Sequence, residues 1–364
     1  MNERVDIAVV GAGAAGIAAA VNVARAGCQT LLLDQRPAAG GTGGFSGLTT
    51  LCGLYDEAGH FLNEGFTREF AELVGSEAGA PVRMGRVWVL PYRPERFREV
   101  ATGLIAQCPQ LRTRWSTTLQ AATVESGRIS SLNGIAVGAV VDCSGTAEVA
   151  RALGADCLTT NETTQAAAIV FPLCEVSRDL SSAAAMAQVL LPLARAGFPP
   201  LNLQRSLEPG TLTAKFAGPA EQVWPLIAFL REKVSGFENC STPVTEFVPA
   251  KRAGRMIVGQ YVLSGGDVLA GRKFADAVAC GAWPIEQWNE KGVAHFRYLP
   301  AGVHYEIPAR CLRAAKIENL FMAGKTISAD VDAIASARVM GCCLATGAAA
   351  GNLAAAYIHS GRTR

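Results

Sequence analysis

The glycine pattern near the N-terminus constrains the fold more strongly than any other feature of the sequence. The apolar, β-branched run VDIAVV leads into GAGAAG, where Gly11, Gly13 and Gly16 have G-x-G-x-x-G spacing. The first glycine permits a tight turn, the second lets the backbone approach a pyrophosphate, and the third lets a helix pack closely on the strand. Ala14 and Ala15 begin that helix, whose N-terminal N–H groups face the phosphates. The sequence therefore predicts a dinucleotide site on a strand–turn–helix unit.

A second strand completes this unit. The helix IAAAVNVARAG ends at Gly27, and the apolar strand TLLLD follows and ends at Asp34. An acidic residue at this distance from the glycines accepts hydrogen bonds from the adenosine ribose of a dinucleotide. We therefore predict that Asp34 binds the ribose, and that Gln35 and Arg36 begin a loop along the cofactor.

The next segment distinguishes NAD from FAD. QRPAAGGTGGFSG is rich in glycine and too irregular to continue a doubly wound sheet, so we expect a loop. An acidic residue at the end of the second strand, followed by Gly40, Gly41 and Thr42, resembles the FAD-binding start of two-dinucleotide-binding-domain, glutathione-reductase-like flavoproteins. The resemblance implies FAD as the cofactor and these three residues as FAD ligands, because a nicotinamide enzyme does not need that loop.

Two later segments extend the resemblance to FAD-dependent oxidoreductases. AVGAVVDCSGTAEVARALGA contains Ser144 and Gly145, and it is similar to the segment with which that family returns to the cofactor domain. AAKIENLFMAG, with Gly324, and ISADVDAIASARVMGCCLATGAAAG are similar to the family's last strand and the helix packed under it. The resemblance implies an α/β fold with a discontinuous Rossmann-like FAD-binding domain, closed by both ends of the chain.

The segment between these parts predicts an inserted domain. QAAAIVFPLCEV and GTLTAKFAG are strand-like, whereas LSSAAAMAQVLLPLARAG and PAEQVWPLIAFLREKVSG have helical periodicity and end at glycine. ARAGFPPLNLQRSLEPGT is a Pro-rich connection, and residues 251–288 resemble the segment that precedes the last FAD strand of the family. We predict FAD-binding parts at 1–160 and 301–364, with an α+β substrate or cap domain at 161–300.

One position departs from the family pattern. Many relatives carry an acidic residue directly after the glycine of the final strand, where it holds the flavin ribityl chain, but here Lys325 follows Gly324. We expect Lys325 to contact a phosphate or solvent, and Asp330 or Asp332 to take over the sugar contact. Either aspartate also stands where a helix N-terminus needs a cap, and capping is the favoured interpretation. That helix is predicted to begin near Ser328 with its N-terminus towards the flavin.

Few residues are candidates for chemistry at the flavin. The chain has four histidines, and His304 and Tyr305 lie just before the last strand, in a segment that resembles the substrate-side edge of the family's flavin site. We interpret both as candidates for proton transfer, with His295 nearby in the sequence, and the favoured alternative for each histidine is a structural or exposed role. Cys52 follows the glycine-rich loop and is a candidate redox thiol or covalent flavin link, the alternative being a small buried cysteine.

Composition limits the partners of the protein. Lys plus Arg number 33 and Asp plus Glu number 31, so the chain lacks the positive field that draws in nucleic acid. The eleven cysteines form no CxxC pair, which suits a reducing compartment and favours a cytoplasmic protein without an iron–sulfur cluster. No continuous apolar run predicts a membrane span. The spacing predicts no metal site, and Arg255 and Arg272 are candidates to bind a substrate carboxylate.

These observations favour an FAD-dependent oxidoreductase, of dehydrogenase or oxidase type, that transfers hydride between a small organic substrate and the flavin. The single G-x-G-x-x-G argues against a built-in NAD(P)H domain, and the sequence does not identify the electron acceptor. The alternatives are a reductase of isoprenoid double bonds, a flavin hydroxylase, or a flavin-bearing electron-transfer subunit of a larger complex. A homo-oligomer and a complex subunit are both compatible with the sequence.

Overall fold

The computed structural model describes residues 3–77, 79–155, 157–159, 165–247, 249–252, 254–289 and 291–362. The strands are β1 (Arg4–Val10), β2 (Thr30–Leu33), β3 (Thr50–Cys52), β4 (Val82–Met84), β5 (Val87–Pro91), β6 (Leu111–Arg114), β7 (Ala122–Glu125), β8 (Arg128–Leu132), β9 (Ile135–Asp142), β10 (Cys157–Thr159), β11 (Ile169–Leu173), β12 (Leu201–Arg205), β13 (Leu212–Phe216), β14 (Arg255–Ile257), β15 (Ala277–Gly281), β16 (Ile285–Trp288), β17 (Ala294–Arg297), β18 (Tyr305–Pro308) and β19 (Leu320–Met322). The helices are α1 (Ala14–Arg25), α2 (Gly41–Phe45), α3 (Phe66–Gly75), α4 (Pro94–Ala106), α5 (Glu148–Ala152), α6 (Ala183–Arg195), α7 (Val223–Lys233), α8 (Gly265–Ala270), α9 (Val331–Ala337) and α10 (Met340–Arg362).

A seven-stranded sheet forms the centre of the molecule. Its order is β6-β2-β1-β9-β8-β7, and β19 pairs with the C-terminal half of β9. β6, β2, β1, β9 and β19 run parallel, and Asp142 at the end of β9 lies opposite Val10 on one side and Met322 on the other. Apolar residues make up most of β1 and β9, as expected for parallel strands that are buried on both faces. This is the predicted α/β sheet, and its last strand comes from the C-terminal part of the chain.

A buried asparagine fixes the last strand in this sheet. Asn319 donates from Nδ2 to the carbonyl oxygens of Ile129 and Gly138, both 2.9 Å away, and its Oδ1 accepts from Ile129 N at 2.8 Å. The residue is 1% exposed, so these bonds satisfy polar groups that water does not reach. They hold β19 in register although its neighbours β8 and β9 are distant in sequence.

The helices α1 and α10 pack against each other through small residues. A methyl group on Gly347 would overlap the backbone of Ala15, and one on Gly351 would lie 2.6 Å from the carbonyl oxygen of Ala19. The two helices therefore approach to backbone contact. By length and composition α10 is apolar enough to cross a membrane, but most of its apolar stretch is buried inside the protein, as in a core helix.

A separate hydrophobic core lies within residues 169–247. β11, β13 and β12 form an antiparallel sheet in that order, and side chains of α6 and α7 share its core. The two strands and two helices predicted here from the sequence are confirmed. The prediction of a Pro-rich connection is wrong where β12 forms, because pairing with β13 buries Leu201 and Leu203 in this core.

The segment that follows returns to the core of the central sheet. Apolar side chains between residues 256 and 299, among them Leu263, Val268 and Ile285, pack in one cluster with residues of β1 and α1. Two small antiparallel pairs, β15 with β18 and β16 with β17, place this segment beside α9 and α10. The domain limits 1–160, 161–300 and 301–364 stay a prediction.

Candidate active site

The glycines of the N-terminal turn pack backbone to backbone. A methyl group on Gly16 would overlap the carbonyl oxygen of Gly11, and one on Gly11 would lie 2.5 Å from the carbonyl oxygen of Cys143, just after β9. Gly11 also has φ +97°, a conformation that favours glycine. α1 begins at Ala14 with Gly13 as its N-cap, and no side chain caps this end. A helix N-terminus of this kind binds a pyrophosphate.

The glycine-rich segment lies directly against this turn. A methyl group on Gly41 would lie 2.5 Å from Gly13 Cα, and Gly40 N donates to the backbone of the turn at 2.9 Å. The expectation of an irregular loop is wrong for Gly41–Phe45, which form the short helix α2. Glycine permits this helix start because Gly40 and Gly41 have φ of +141° and +50°. Thr42 is exposed beside them.

Asp34 stands just after β2, beside both backbones. Its Oδ2 accepts from Ala12 N at 2.6 Å and its Oδ1 accepts from Arg36 N at 2.7 Å. A carboxylate has about four acceptor positions, so positions remain for the predicted ribose hydroxyl groups. Arg36 is half-buried, with its guanidinium carbon 5.7 Å from the Phe45 ring centroid, and Gln35 is exposed.

Asp142 organises the carboxyl end of β9. Its buried carboxylate accepts from Ser144 N at 3.0 Å, Ser144 Oγ at 2.7 Å and Val149 N at 2.9 Å. Burial raises the pKa of Asp142 in spite of these hydrogen bonds. Thr326 Oγ1 donates to the carbonyl oxygen of Asp142 at 2.7 Å. Asp142 therefore shapes the turn that presents Ser144 and Gly145.

Lys325 meets this turn from the C-terminal part of the chain. A methyl group on Gly145 would lie 2.8 Å from Lys325 Cε, and one on Gly324 would lie 2.9 Å from Ala15 Cβ. Burial lowers the pKa of Lys325, and neighbouring cations lower it further. Its Nζ donates to the carbonyl oxygen of Lys251 at 3.4 Å, and within the described ranges we find no salt bridge to it. Glycine backbones, the α1 N-terminus and this ammonium thus fit the pyrophosphate of FAD.

Glu286 on β16 lies between two tryptophans. Its Oε2 accepts from Trp283 Nε1 at 2.7 Å, and its Oε1 accepts from Trp288 Nε1 at 2.5 Å. Burial opposes the charge of Glu286, but the Arg338 guanidinium and the two indole N–H groups outweigh burial and lower its pKa. Glu286 is therefore a carboxylate at neutral pH.

Four basic side chains interact with this carboxylate or with one another. We name them the basic cluster: Lys215, Arg252, Lys325 and Arg338. Arg338 Nη2 donates to the backbone oxygen of Glu286 at 3.2 Å, and its buried Nε has no hydrogen-bond partner among the described residues. Burial lowers the pKa of Lys215. Burial and the Arg338 charge together lower the pKa of Arg252 to about 10.

Cys52, the last residue of β3, borders the basic cluster. Charges on Lys215, Glu286 and Arg338 all act on its thiol. Burial raises the pKa of Cys52 to about 11, so the thiol is protonated at neutral pH. A protonated thiol is a weak nucleophile, and the predicted redox or covalent role of Cys52 stays a prediction.

His304 and Tyr305 are neighbours in sequence but lie in different surroundings. Tyr305 is fully buried, its hydroxyl lies 2.9 Å from Ser336 Oγ, and burial raises its pKa well above the usual value. Tyr305 thus links β18 to α9. His304 is half-buried beside Cys280 and Glu306. Roles in proton transfer stay predictions for both.

Asp330 is the N-cap of α9. Its Oδ1 accepts from Asp332 N at 3.0 Å and from Ala333 N at 2.7 Å, and its Oδ2 accepts from Gly265 N at 3.0 Å. The capping interpretation is confirmed for Asp330, and the predicted helix begins three residues later than Ser328, at Val331. The cap carboxylate occupies the helix N-terminus that we expected to face the flavin.

The remaining candidates are held by surface contacts. Asp332 accepts from Gln287 Nε2 at 2.8 Å and pairs with Arg297 at 2.5 Å, so its sugar contact stays a prediction. Arg272 pairs with Asp267 at 2.8 Å. Arg255 and His295 are exposed.

The sequence-based prediction missed most of the basic cluster. Arg252 and Glu286 lie within residues 251–288, the segment that resembles the family. The signal was WPIEQW, where an acidic residue stands between two tryptophans with indole donors. Lys215 and Arg338 gave no signal, because their partners are distant in sequence.

Three solved structures match the fold of the chain at low sequence identity. The OxyS anhydrotetracycline hydroxylase from Streptomyces rimosus matches with a TM-score of 0.55 and 14% identity, over 99% of this chain and 63% of that chain. A geranylgeranyl bacteriochlorophyll reductase-like protein from Thermoplasma acidophilum matches with a TM-score of 0.52 and 13% identity, over 99% of this chain and 80% of that chain. A flavoprotein/dehydrogenase from Cytophaga hutchinsonii matches with a TM-score of 0.51 and 13% identity, over 98% of this chain and 79% of that chain. At these identities the matches show the fold alone.

Two further comparisons use the sequence. Over 37 residues the chain is 60% identical to sarcosine oxidase subunit alpha from Corynebacterium sp. (strain U-96), a match that spans 10% of this chain and 4% of that subunit. The model of the FAD dependent oxidoreductase family matches residues 6–190 and 198–364. The chain therefore belongs to the FAD dependent oxidoreductase family, and FAD is its cofactor.

Proposed function

We propose that the protein transfers hydride between FAD and a small organic substrate that carries a carboxylate or a similar anionic group. The supporting observation is the charge balance of the basic cluster. The guanidinium groups of Arg252 and Arg338 both interact electrostatically with the single carboxylate of Glu286, and we find no salt bridge from either arginine among the described residues. Positive charge that exceeds its counter-charge in a half-buried site favours an anionic ligand.

Arg252 and Arg338 are suited to hold the anion of the substrate. The Arg252 guanidinium carbon lies 4.2 Å from the Trp288 ring centroid, and Arg252 Nη1 donates to the backbone of Ala166. Arg338 is held by its bond to the backbone of Glu286, while its Nε is left for a ligand. A planar guanidinium binds a carboxylate with two parallel hydrogen bonds, which fixes orientation as well as charge.

Lys215 is the proposed proton acceptor. Bound FAD supplies the site that takes or gives the hydride. When the substrate C–H bond breaks with its electron pair, the proton of the neighbouring O–H or N–H group passes to Lys215 Nζ. Burial lowers the pKa of Lys215, which is the direction that lets an amine accept a proton. Glu286 is the weaker candidate, since its partners stabilise the carboxylate and lower its pKa.

The alternatives have less support. A reductase of isoprenoid double bonds requires a long apolar cavity. The basic cluster would instead place charged groups in the substrate site. A flavin-bearing electron-transfer subunit is the second candidate, and the short match to sarcosine oxidase subunit alpha favours it. The hydroxylase alternative is supported only by similarity in fold to the OxyS anhydrotetracycline hydroxylase.

Anaerobic reduction of the purified, FAD-loaded protein tests the proposal. We expect members of a panel of hydroxy acids and amino acids to bleach the flavin absorbance, and the matching alcohols and amines without a carboxylate to fail at equal concentration. Arg252→Gln should lose the response to the acid, whereas the control Arg272→Gln, at an exposed side chain paired with Asp267, should keep it. Reduction by uncharged compounds, or only through a protein partner, would contradict the proposal.

A further inference from the structure

We propose that Cys280, His304 and Glu306 form a binding site for a zinc-like divalent cation. Each residue offers one ligand atom, and the sulfur, imidazole nitrogen and carboxylate oxygen all lie within 4.8 Å of one another. All three residues are half-buried, so the site is reachable from solvent. This site is independent of the proposed reaction.

Strand geometry brings the three ligands to one face. Cys280 on β15 is the direct antiparallel partner of Glu306 on β18, so their side chains project to the same side. His304 lies directly before β18, two residues before Glu306, and its ring nitrogen is within 4.8 Å of the other two ligand atoms. Tyr305 projects to the other side, towards Ser336. The ligands come from two strands, which is why sequence spacing predicted no metal site.

The donor set suits zinc in preference to magnesium or calcium. Thiolate, imidazole and carboxylate are all zinc ligands, whereas magnesium and calcium prefer oxygen alone. Zinc–ligand bonds of about 2.0–2.3 Å place tetrahedral ligand atoms about 3.5 Å apart. Zinc binding at this site therefore requires side-chain rotations that bring the three ligand atoms from within 4.8 Å to that spacing. The fourth tetrahedral position then falls to a solvent molecule.

Neighbouring groups already orient the carboxylate. Glu306 Oε2 accepts from Phe274 N at 2.7 Å, and a hydrogen bond of this kind orients a carboxylate that binds a metal ion. Lys273 Nζ donates to the carbonyl oxygen of His304 at 3.0 Å and lies 3.8 Å from Glu306 Oε1. Its side chain is 52% exposed, so it is free to turn towards solvent when a cation takes its place.

The backbone of β15 is fixed at Cys280 by a side chain from another segment. Asn63 Nδ2 donates to the carbonyl oxygen of Cys280 at 2.9 Å, and Cys280 N donates to Asn63 Oδ1 at 2.8 Å. The backbone that carries the sulfur is therefore held on both sides of the residue. A cation at this site ties β15 to β18 beside the segment that contains Trp283 and Glu286.

Zinc titration of the full, FAD-loaded protein tests the site. After treatment with EDTA, we expect the protein to take one equivalent of Zn²⁺ from a chromophoric chelator. Cys280→Ser, His304→Gln and Glu306→Gln should each weaken binding by about tenfold or more. Bound zinc should also protect Cys280 from alkylation, and Co²⁺ should give a thiolate charge-transfer band in a difference spectrum.

Matched controls separate this site from general effects. His295→Gln and Cys174→Ser alter residues outside the cluster and should leave zinc affinity unchanged. Retained flavin absorbance shows that each variant is folded. Equal zinc affinity of the wild-type protein and Cys280→Ser, or zinc binding without protection of Cys280, would overturn the proposal.

Discussion

The Arg252 guanidinium carbon lies 4.2 Å from the centroid of the Trp288 ring. The same tryptophan donates from Nε1 to Glu286 Oε1 at 2.5 Å, so one ring joins a cation to the carboxylate of the cluster. Cation–π contact with a partly buried arginine favours one guanidinium position. Arg252 is thereby held within the basic cluster although its pKa is lowered by burial.

Arg252→Gln is expected to raise the KM for an acidic substrate about tenfold to a hundredfold, with a smaller change in kcat, because a charge-assisted hydrogen bond contributes about 1.5–3 kcal/mol. Steady-state kinetics at constant pH measure both constants. Arg252→Lys keeps the positive charge but loses the planar guanidinium. Its KM should therefore lie between the values for the wild-type protein and for Arg252→Gln. Arg272→Gln is the control, and an unchanged KM in Arg252→Gln would remove Arg252 from substrate binding.

Two glycines of the first turn should respond differently to alanine. Gly16→Ala places a methyl group on the Gly11 carbonyl oxygen, so we expect a loss of stability of about 1–3 kcal/mol or more and little bound flavin. A methyl group on Gly13 would make ordinary contact with Gly41 Cα at 3.8 Å, so Gly13→Ala should fold but bind FAD more weakly. Thermal unfolding and the flavin-to-protein absorbance ratio distinguish the two. Equal FAD affinity of Gly13→Ala and the wild-type protein would contradict the assigned pyrophosphate site.

Sequence patterns predicted the structure best where the interacting residues are close together along the chain. The strand, the glycines and Asp34 lie within one βαβ unit, and each has a local physical reason that the pattern reveals. Asp330 was found in the same way, because helix caps follow local rules. β12 was missed because its stability comes from pairing with β13, and propensity alone does not show that.

The basic cluster could not be predicted for a related reason. Lys215 is carried by β13, Glu286 by β16 and Arg338 follows α9, and only the folded chain brings them together. Cys280 and Glu306 meet in the same manner, through the register of β15 on β18. Such sites depend on pairing between strands that no spacing in the sequence encodes.

Tyr305→Phe separates a catalytic from a positioning role. The hydroxyl lies 2.9 Å from Ser336 Oγ in a fully buried site, so its removal should cost about 1–2 kcal/mol of stability. We expect kcat to change less than twofold at a temperature where both proteins are folded, because burial keeps this phenol protonated. Urea unfolding and single-turnover flavin reduction measure the two effects. A loss of reduction rate of about a hundredfold with full flavin occupancy would instead support proton transfer by Tyr305.

The charge of Glu286 should make stability depend on pH. Its partners lower its pKa in the folded protein below the ordinary value of 4.5, so the unfolded chain binds the proton more readily. The carboxylate therefore contributes stability above the unfolded pKa, and this contribution is lost as pH falls through the folded pKa. Glu286→Gln lacks it and replaces the charged acceptor of the two indole hydrogen bonds, so we expect a loss of about 1.5–3 kcal/mol at neutral pH.

Urea unfolding of both proteins with saturating FAD, between neutral and acidic pH, measures this difference. The difference in free energy of unfolding between the wild-type protein and Glu286→Gln should be constant around pH 7. It should become smaller below about pH 5, because protonation of Glu286 makes the two side chains alike in charge. Glu125→Gln, at an exposed carboxylate, should show no such change. A difference that stays constant into acid would mean that the variant is destabilised by altered packing between Trp283 and Trp288, and that the Glu286 charge does not hold the basic cluster together.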